Sequence, residues 1–138
     1  MKRVFFLIFN LTLILVMSCE KGFFVNCNEC DSSEPYDTEL TADIDVNSQN
    51  GVIVHVWEGK LEDGLLIDSA QIFSSSTFRK TVPLNRNYTL TATYLINDKT
   101  YVVVNSTMPK VRYASSQCDD ACYYVYDNDV NLRLKYTK

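Results

Sequence analysis

A chain of 138 residues, with 13 basic against 17 acidic side chains and a formal charge of −4, suffices for one domain around one core. Its basic residues form no run, which argues against nucleic acid and against a polybasic membrane patch. Nine Tyr, seven Phe and one Trp beside only four Gly and three Pro exclude a low-complexity or collagen-like chain.

Residues 1–18 read as an export signal. Lys2 and Arg3 supply a positive start, and the run from Val4 to Met17 is apolar apart from Asn10 and Thr12. A helix rising ~1.5 Å per residue needs ~20 apolar residues to span a bilayer, so a cleaved signal fits better than a membrane span. Removing Lys2 and Arg3 leaves 11 basic and 17 acidic groups, a charge of −6.

The junction Leu15-Val16-Met17-Ser18-Cys19 resembles the lipobox of bacterial lipoproteins, with Met17 where a small residue is usual. The resemblance implies a diacylglyceryl thioether on Cys19, cleavage before it and acylation of the new amino group. One acyl chain holds a protein to a bilayer marginally and two or more hold it stably, so the membrane becomes a partner through the lipid on Cys19. The expected place is the cell envelope, as an outer-membrane lipoprotein on either face. Residues 19–38 form the expected tether: Asn26 to Tyr36 is polar and turn-rich, and Pro35 limits regular structure. Phe23-Phe24-Val25 interrupts that polarity and either enters the lipid interface or packs on the domain edge.

With Cys19 assigned to lipid, Cys27, Cys30, Cys118 and Cys122 remain. An even number in an exported chain reads as disulfides, with no metal and no cofactor. A zinc site is the rival, but the Cys-x3-Cys spacing is loose and the compartment oxidising. A redox role for Cys27-Asn28-Glu29-Cys30 lacks a following βα unit to lower a thiolate pKa. Three pairings are open. Long bridges of about 90 residues gain ~4–5 kcal/mol in the chain-entropy model, against ~2 for local ones. Local pairs are nonetheless the expectation, because the first two cysteines lie in a tether that need not dock.

From Glu39 onward the apolar period is two. Leu40, Ala42, Ile44 and Val46 alternate with polar residues, Asn50-Gly51 is a hairpin-type turn, and Val52 to Trp57 is a β-branched run in which Trp57 shares a face with Ile53 and His55 rather than with the valines. Leu65 to Phe73 suggests a strand irregular at Asp68-Ser69. Phe78 to Leu84 is extended, with Pro83 placing it at an edge or end. Tyr88 to Ile96 is the clearest strand, turned at Asn97-Asp98 into a returning strand at Tyr101 to Val104. Val111 to Ala114, Tyr123 to Tyr126 and a closing strand from Val130 to Tyr136 complete the domain, residues 39–138. Seven or eight short strands with frequent turns predict an all-β, antiparallel β-sandwich.

The stretch Thr81 to Ala92 resembles the strand E to strand F corner of fibronectin type III and related immunoglobulin-like modules. In those modules a Leu precedes a Tyr that opens a Tyr-x-Leu-x-Ala strand, so Tyr88 is implied to be a corner tyrosine with a buried ring and a bonded hydroxyl. Val52 to Trp57 is weakly similar to their Trp-ending strand, with shifted parity, and transthyretin-like modules carry a similar Tyr-Thr-Leu strand. The implied fold is an immunoglobulin-like sandwich.

Catalysis finds little footing. His55 is the only histidine and sits mid-strand, which leaves nucleophilic catalysis without its usual base. Asp127-x-Asp129-x-Asn131 opens like a calcium loop, but Leu132 replaces the glycine and no distal Glu follows, so a turn is expected. Tyr123, Tyr124 and Tyr126 are the ligand-binding candidates. Neighbours on a strand face opposite sides, sugar rings stack on exposed aromatic faces, and the competing role is capping a sandwich edge. The expected function is a non-catalytic binding or adhesion module for glycan or protein in the cell envelope; the alternative is a structural accessory subunit pairing an exposed strand edge with an envelope partner. The anchor has a direct test: Cys19→Ala is expected to leave an uncleaved or mislocalised precursor without acyl label, and palmitate labelling of that variant in membrane fractions would refute the anchor.

Overall fold

A computed structural model of the chain describes residues 25–114 and 118–135. The signal, Cys19, Phe23 and Phe24 lie outside the described residues. Nine strands, and no helix, occur among the described residues: β1 (Asp37–Asp43), β2 (Val52–Glu58), β3 (Leu65–Ile72), β4 (Thr77–Pro83), β5 (Tyr88–Ile96), β6 (Lys99–Thr107), β7 (Lys110–Tyr113), β8 (Tyr123–Tyr126) and β9 (Asp129–Asn131). Two sheets form the sandwich, ordered β4-β1-β9 and β3-β2-β5-β6, and β7-β8 makes a separate two-stranded sheet.

The alternation expected from the sequence sets the core. Leu40, Ala42 and Ile44 from the first sheet meet Val52, Val54, Val56, Leu90, Ala92 and Tyr94 from the second, all but sealed from water. Burying a side chain of this kind is worth ~1.5–3 kcal/mol, which is why the valines of β2 point inward and Ile53, His55 and Trp57 outward. Asn97 and Asp98 both have positive φ, at 49° and 60°, as a two-residue hairpin between β5 and β6 requires. Gly64 is irreplaceable for a different reason: a Cβ there would lie 2.4 Å from the Lys60 carbonyl oxygen.

Several expectations are corrected. The two sandwich sheets hold seven strands, within the expected seven or eight, and β7 and β8 bring the total among the described residues to nine; one pair is not antiparallel but parallel, β9 running alongside β1 with Thr41 to Asp43 opposite Asp129 to Asn131. The closing strand stops at Asn131 because side chains take over its hydrogen bonds. Asn131 Oδ1 accepts from the Arg133 amide (3.0 Å) and the Asp45 carboxylate from the Leu134 amide (2.8 Å). Asn50-Gly51 does not join a hairpin, since β1 pairs with β4 while β2 pairs with β3 and β5, so the segment crosses between sheets. The irregularity of β3 falls at Ile67, skipped between the Val56–Asp68 and Trp57–Leu66 pairs.

That skip turns Asp68 inward, opposite the buried Val56, while Lys80 on edge strand β4 stands opposite the buried Leu40. Their 3.1 Å ion pair joins the two sheets at one side of the sandwich. Half-exposed, it contributes little energy, but inward-pointing charge on edge strands discourages pairing with other chains.

Tyr88 has the buried ring and bonded hydroxyl that the resemblance implied. Its ring is fully buried and its hydroxyl donates to the Pro83 carbonyl at 2.9 Å. Tyr94, at the other end of β5, donates to the Leu132 carbonyl (2.8 Å) and accepts from the Asp45 amide (3.1 Å). Tyr94→Phe leaves two backbone groups unpartnered and is expected to cost about 2–3 kcal/mol, against about 1 for Tyr88→Phe, read from urea midpoints. Burial pushes both hydroxyls above their ordinary pKa of 10.0; the Glu58 charge adds to this at Tyr88. The folded state thus holds these protons more tightly than the unfolded chain. Their contribution is complete below pH ~10 and lost as pH rises through the folded pKa values, so stability should decline on the alkaline side, less steeply in Tyr94→Phe.

Candidate functional site

The cysteines build a region that stands outside the sandwich core. Cys27 bonds Cys118 and Cys30 bonds Cys122, with Cα atoms 5.7 and 5.1 Å apart and sequence separations of 91 and 92. The expected local pairs are therefore overturned, and with them the idea of an undocked tether. The reason is backbone pairing: Asp31 and Tyr123 exchange two amide-to-carbonyl hydrogen bonds of 2.9 Å, which adds the tether to the free edge of β8 and brings both cysteine pairs into reach. Among the described residues the first bridge lies at Asp31, and β1 starts at Asp37.

The Cys30, Cys118 and Cys122 sulfurs lie within 4.8 Å of one another. Oxidised, they offer no thiolate, which is the form a metal ligand requires. Their role in this state is to staple the tether to the arm formed by β7 and β8.

The arm's register decides which tyrosines act together. Lys110 faces Tyr126, Arg112 faces Tyr124, Val111 faces Val125 and Tyr113 faces Tyr123. Side chains alternate, so Tyr124 and Tyr126 share one side with Lys110 and Arg112, while Tyr123 joins Tyr113, Val111 and Val125 on the other. The three candidate tyrosines thus divide between two faces. Tyr113 and Tyr123 stack with ring centroids 4.8 Å apart, tilted by 37°. Tyr124 and Tyr126 lie 6.3 Å apart at 47°, and the Arg112 guanidinium carbon sits 5.6 Å from the centre of the Tyr126 ring. All three candidates are half-buried. A recess of about 380 Å³ beside the arm is lined by Val25, Asn26, Glu29, Asp31, Tyr123, Tyr124 and Val125.

Lys110 and Arg112 are absent from the sequence reading. Their Lys-x-Arg alternation was visible, but only the register across the cysteine loop assigns them to the face of Tyr124 and Tyr126. His55 lies on the outer face of β2, its ring 6.4 Å from that of Trp57, in a packing position. The calcium-like spacing belongs to the turn into β9: Asp127 has a φ of 58°, its carbonyl accepts from the Thr107 hydroxyl, and Asn131 Oδ1 is occupied by the Arg133 amide. No family model, curated protein or solved structure matches the chain.

The staple has a measurable worth. Either bridge alone closes a loop of about 90 residues, worth ~4–5 kcal/mol; the second then closes a ring on the order of ten residues, worth ~2–3. Replacing both cysteines of one pair by Ala should therefore cost about 2–3 kcal/mol, and replacing all four about 7. Non-reducing peptide mapping should recover the 27–118 and 30–122 peptides; free thiols or stoichiometric zinc at all four positions would contradict the staple.

Proposed function

We propose that this chain is a lipid-anchored, non-catalytic binding module of the cell envelope, carried at the membrane by Cys19 and presenting the tyrosine arm to a glycan. The observation that carries the reading is the Tyr124–Tyr126 pair, held outside the core on a hairpin whose loop and flanking tether are covalently fixed. Rigid aromatic faces bind sugar rings at low entropic cost, and the phenol hydroxyl adds a polar handle. The two disulfides support an oxidising compartment outside the cytoplasm, as the export signal implies. Kinship with immunoglobulin-like modules is part of the proposal and draws on the Tyr88 corner.

A second reading, the accessory subunit of an envelope complex, draws on the outer face of the β3-β2-β5-β6 sheet. By register and alternation that face carries Ile53, His55, Trp57, Val102 and Val104 among threonines and serines, with no Lys, Arg, Asp or Glu. Ile53, Val102 and Val104 are exposed, and the buried Trp57 Nε1–H has no acceptor among the described residues. An uncharged apolar face on an acidic protein suits a protein partner.

Glycan arrays probed with the mature domain distinguish the two. Binding that is lost in Tyr124→Ala and Tyr126→Ala but kept in Val102→Lys supports the first reading. A blank array, together with an envelope cross-link abolished by Val102→Lys and kept in Tyr124→Ala, would replace it with the second.

A further inference from the structure

Resting on the glycan reading of the arm, we propose that its ligand is an acidic saccharide, with the carboxylate held by Arg112 and Lys110 while the sugar stacks on Tyr124 and Tyr126. Four arginines occur among the described residues, and three are neutralised: Arg79 by Glu39, Arg86 by Glu58 and Arg133 by Asp43. Arg112 instead lies against the Tyr126 ring, exposed to water and without a carboxylate among the described residues. Placed over the ring, the guanidinium keeps N–H donors that can make two parallel bonds to one carboxylate.

Lys110 stands two residues away on the same face, directly across from Tyr126. Two neighbouring cations repel each other, and an anion between them relieves both. The rest of the molecule works against a polyanion, because the mature chain carries −6. On the opposite face of the arm, Asp31 stands across from Tyr123 and lines the recess with Glu29, so the cationic face is bordered by negative charge that repels a second anion. The fitting ligand therefore presents one acidic residue to Arg112 and Lys110 and is otherwise neutral. A uniformly charged polymer does not fit.

Calorimetric titration of the full mature domain tests this with oligosaccharides that alternate hexuronate and neutral hexose, and with the same oligosaccharides after carboxyl reduction. Tighter binding of the acidic form, by tenfold or more, is expected. That preference should disappear in Arg112→Gln and weaken in Lys110→Gln, whereas Tyr124→Ala should lose both ligands. Arg112→Gln changes an exposed side chain, and an unaltered melting temperature will show that its fold is intact. Equal affinity for both forms, unchanged in Arg112→Gln, overturns the acidic preference and leaves the glycan reading standing. Binding of neither form, with a blank array of neutral and acidic glycans, overturns both.

Discussion

Two phenol rings are sealed at opposite ends of β5, and each carries a hydroxyl that must find a partner inside the protein. Tyr88 finds the Pro83 carbonyl and so fixes how the chain turns from β4 of one sheet into β5 of the other. Tyr94 finds the Leu132 carbonyl and the Asp45 amide. One hydroxyl thereby holds the exit of β1 and the C-terminal segment against the second sheet, where Asp45 in turn takes the Leu134 amide. The parallel strand β9 has only three residues. Its position beside β1 depends on these side-chain contacts at least as much as on its own ladder.

The arm is built on a different principle. β7 and β8 each have four residues and no enclosed core of their own, and a two-stranded hairpin of that size is marginal in water. The added strand at Asp31, the stacked Tyr113–Tyr123 pair and the two long-range disulfides replace the missing core. The result is a small rigid platform whose two faces differ in chemistry: tyrosine and valine on one, tyrosine with two cations on the other. Half-buried rings are the natural product, since a hairpin without a second layer cannot cover its aromatic residues completely.

What the sequence made legible follows from how local the physics is. Period-two burial in β1, β2 and β5 needs only neighbouring residues, and these strands lie within a few residues of the expected places. The buried, hydrogen-bonded ring at Tyr88 depends on a contact only five residues away and was implied by the family resemblance rather than by alternation. The main failures involve distance along the chain. Asn50-Gly51 looks like a hairpin turn by composition, yet the strands on either side belong to different sheets, and only long-range pairing decides that. The cysteine pairing turned on whether the tether docks, which is set by the Asp31–Tyr123 bridge between segments some 90 residues apart. The same bridge and the β7-β8 register divide the tyrosines and bring Arg112 to Tyr126, a neighbour fourteen positions away that no spacing rule reaches.

The docked tether also decides where mechanical load enters the domain. A pull on the chain ahead of Cys27 would, without the bridges, run through the loop to Asp37 and peel β1 from β4 one hydrogen bond at a time. With Cys27 bonded to Cys118, the force passes first into the arm through a covalent link and bypasses the edge of β1. Between Cys27 and Cys30 the second bridge shares that load with Cys122, next to the start of β8. A molecule held by its N-terminus and gripped at its arm would thus carry tension along a short path of covalent bonds, leaving the sandwich unstressed behind it.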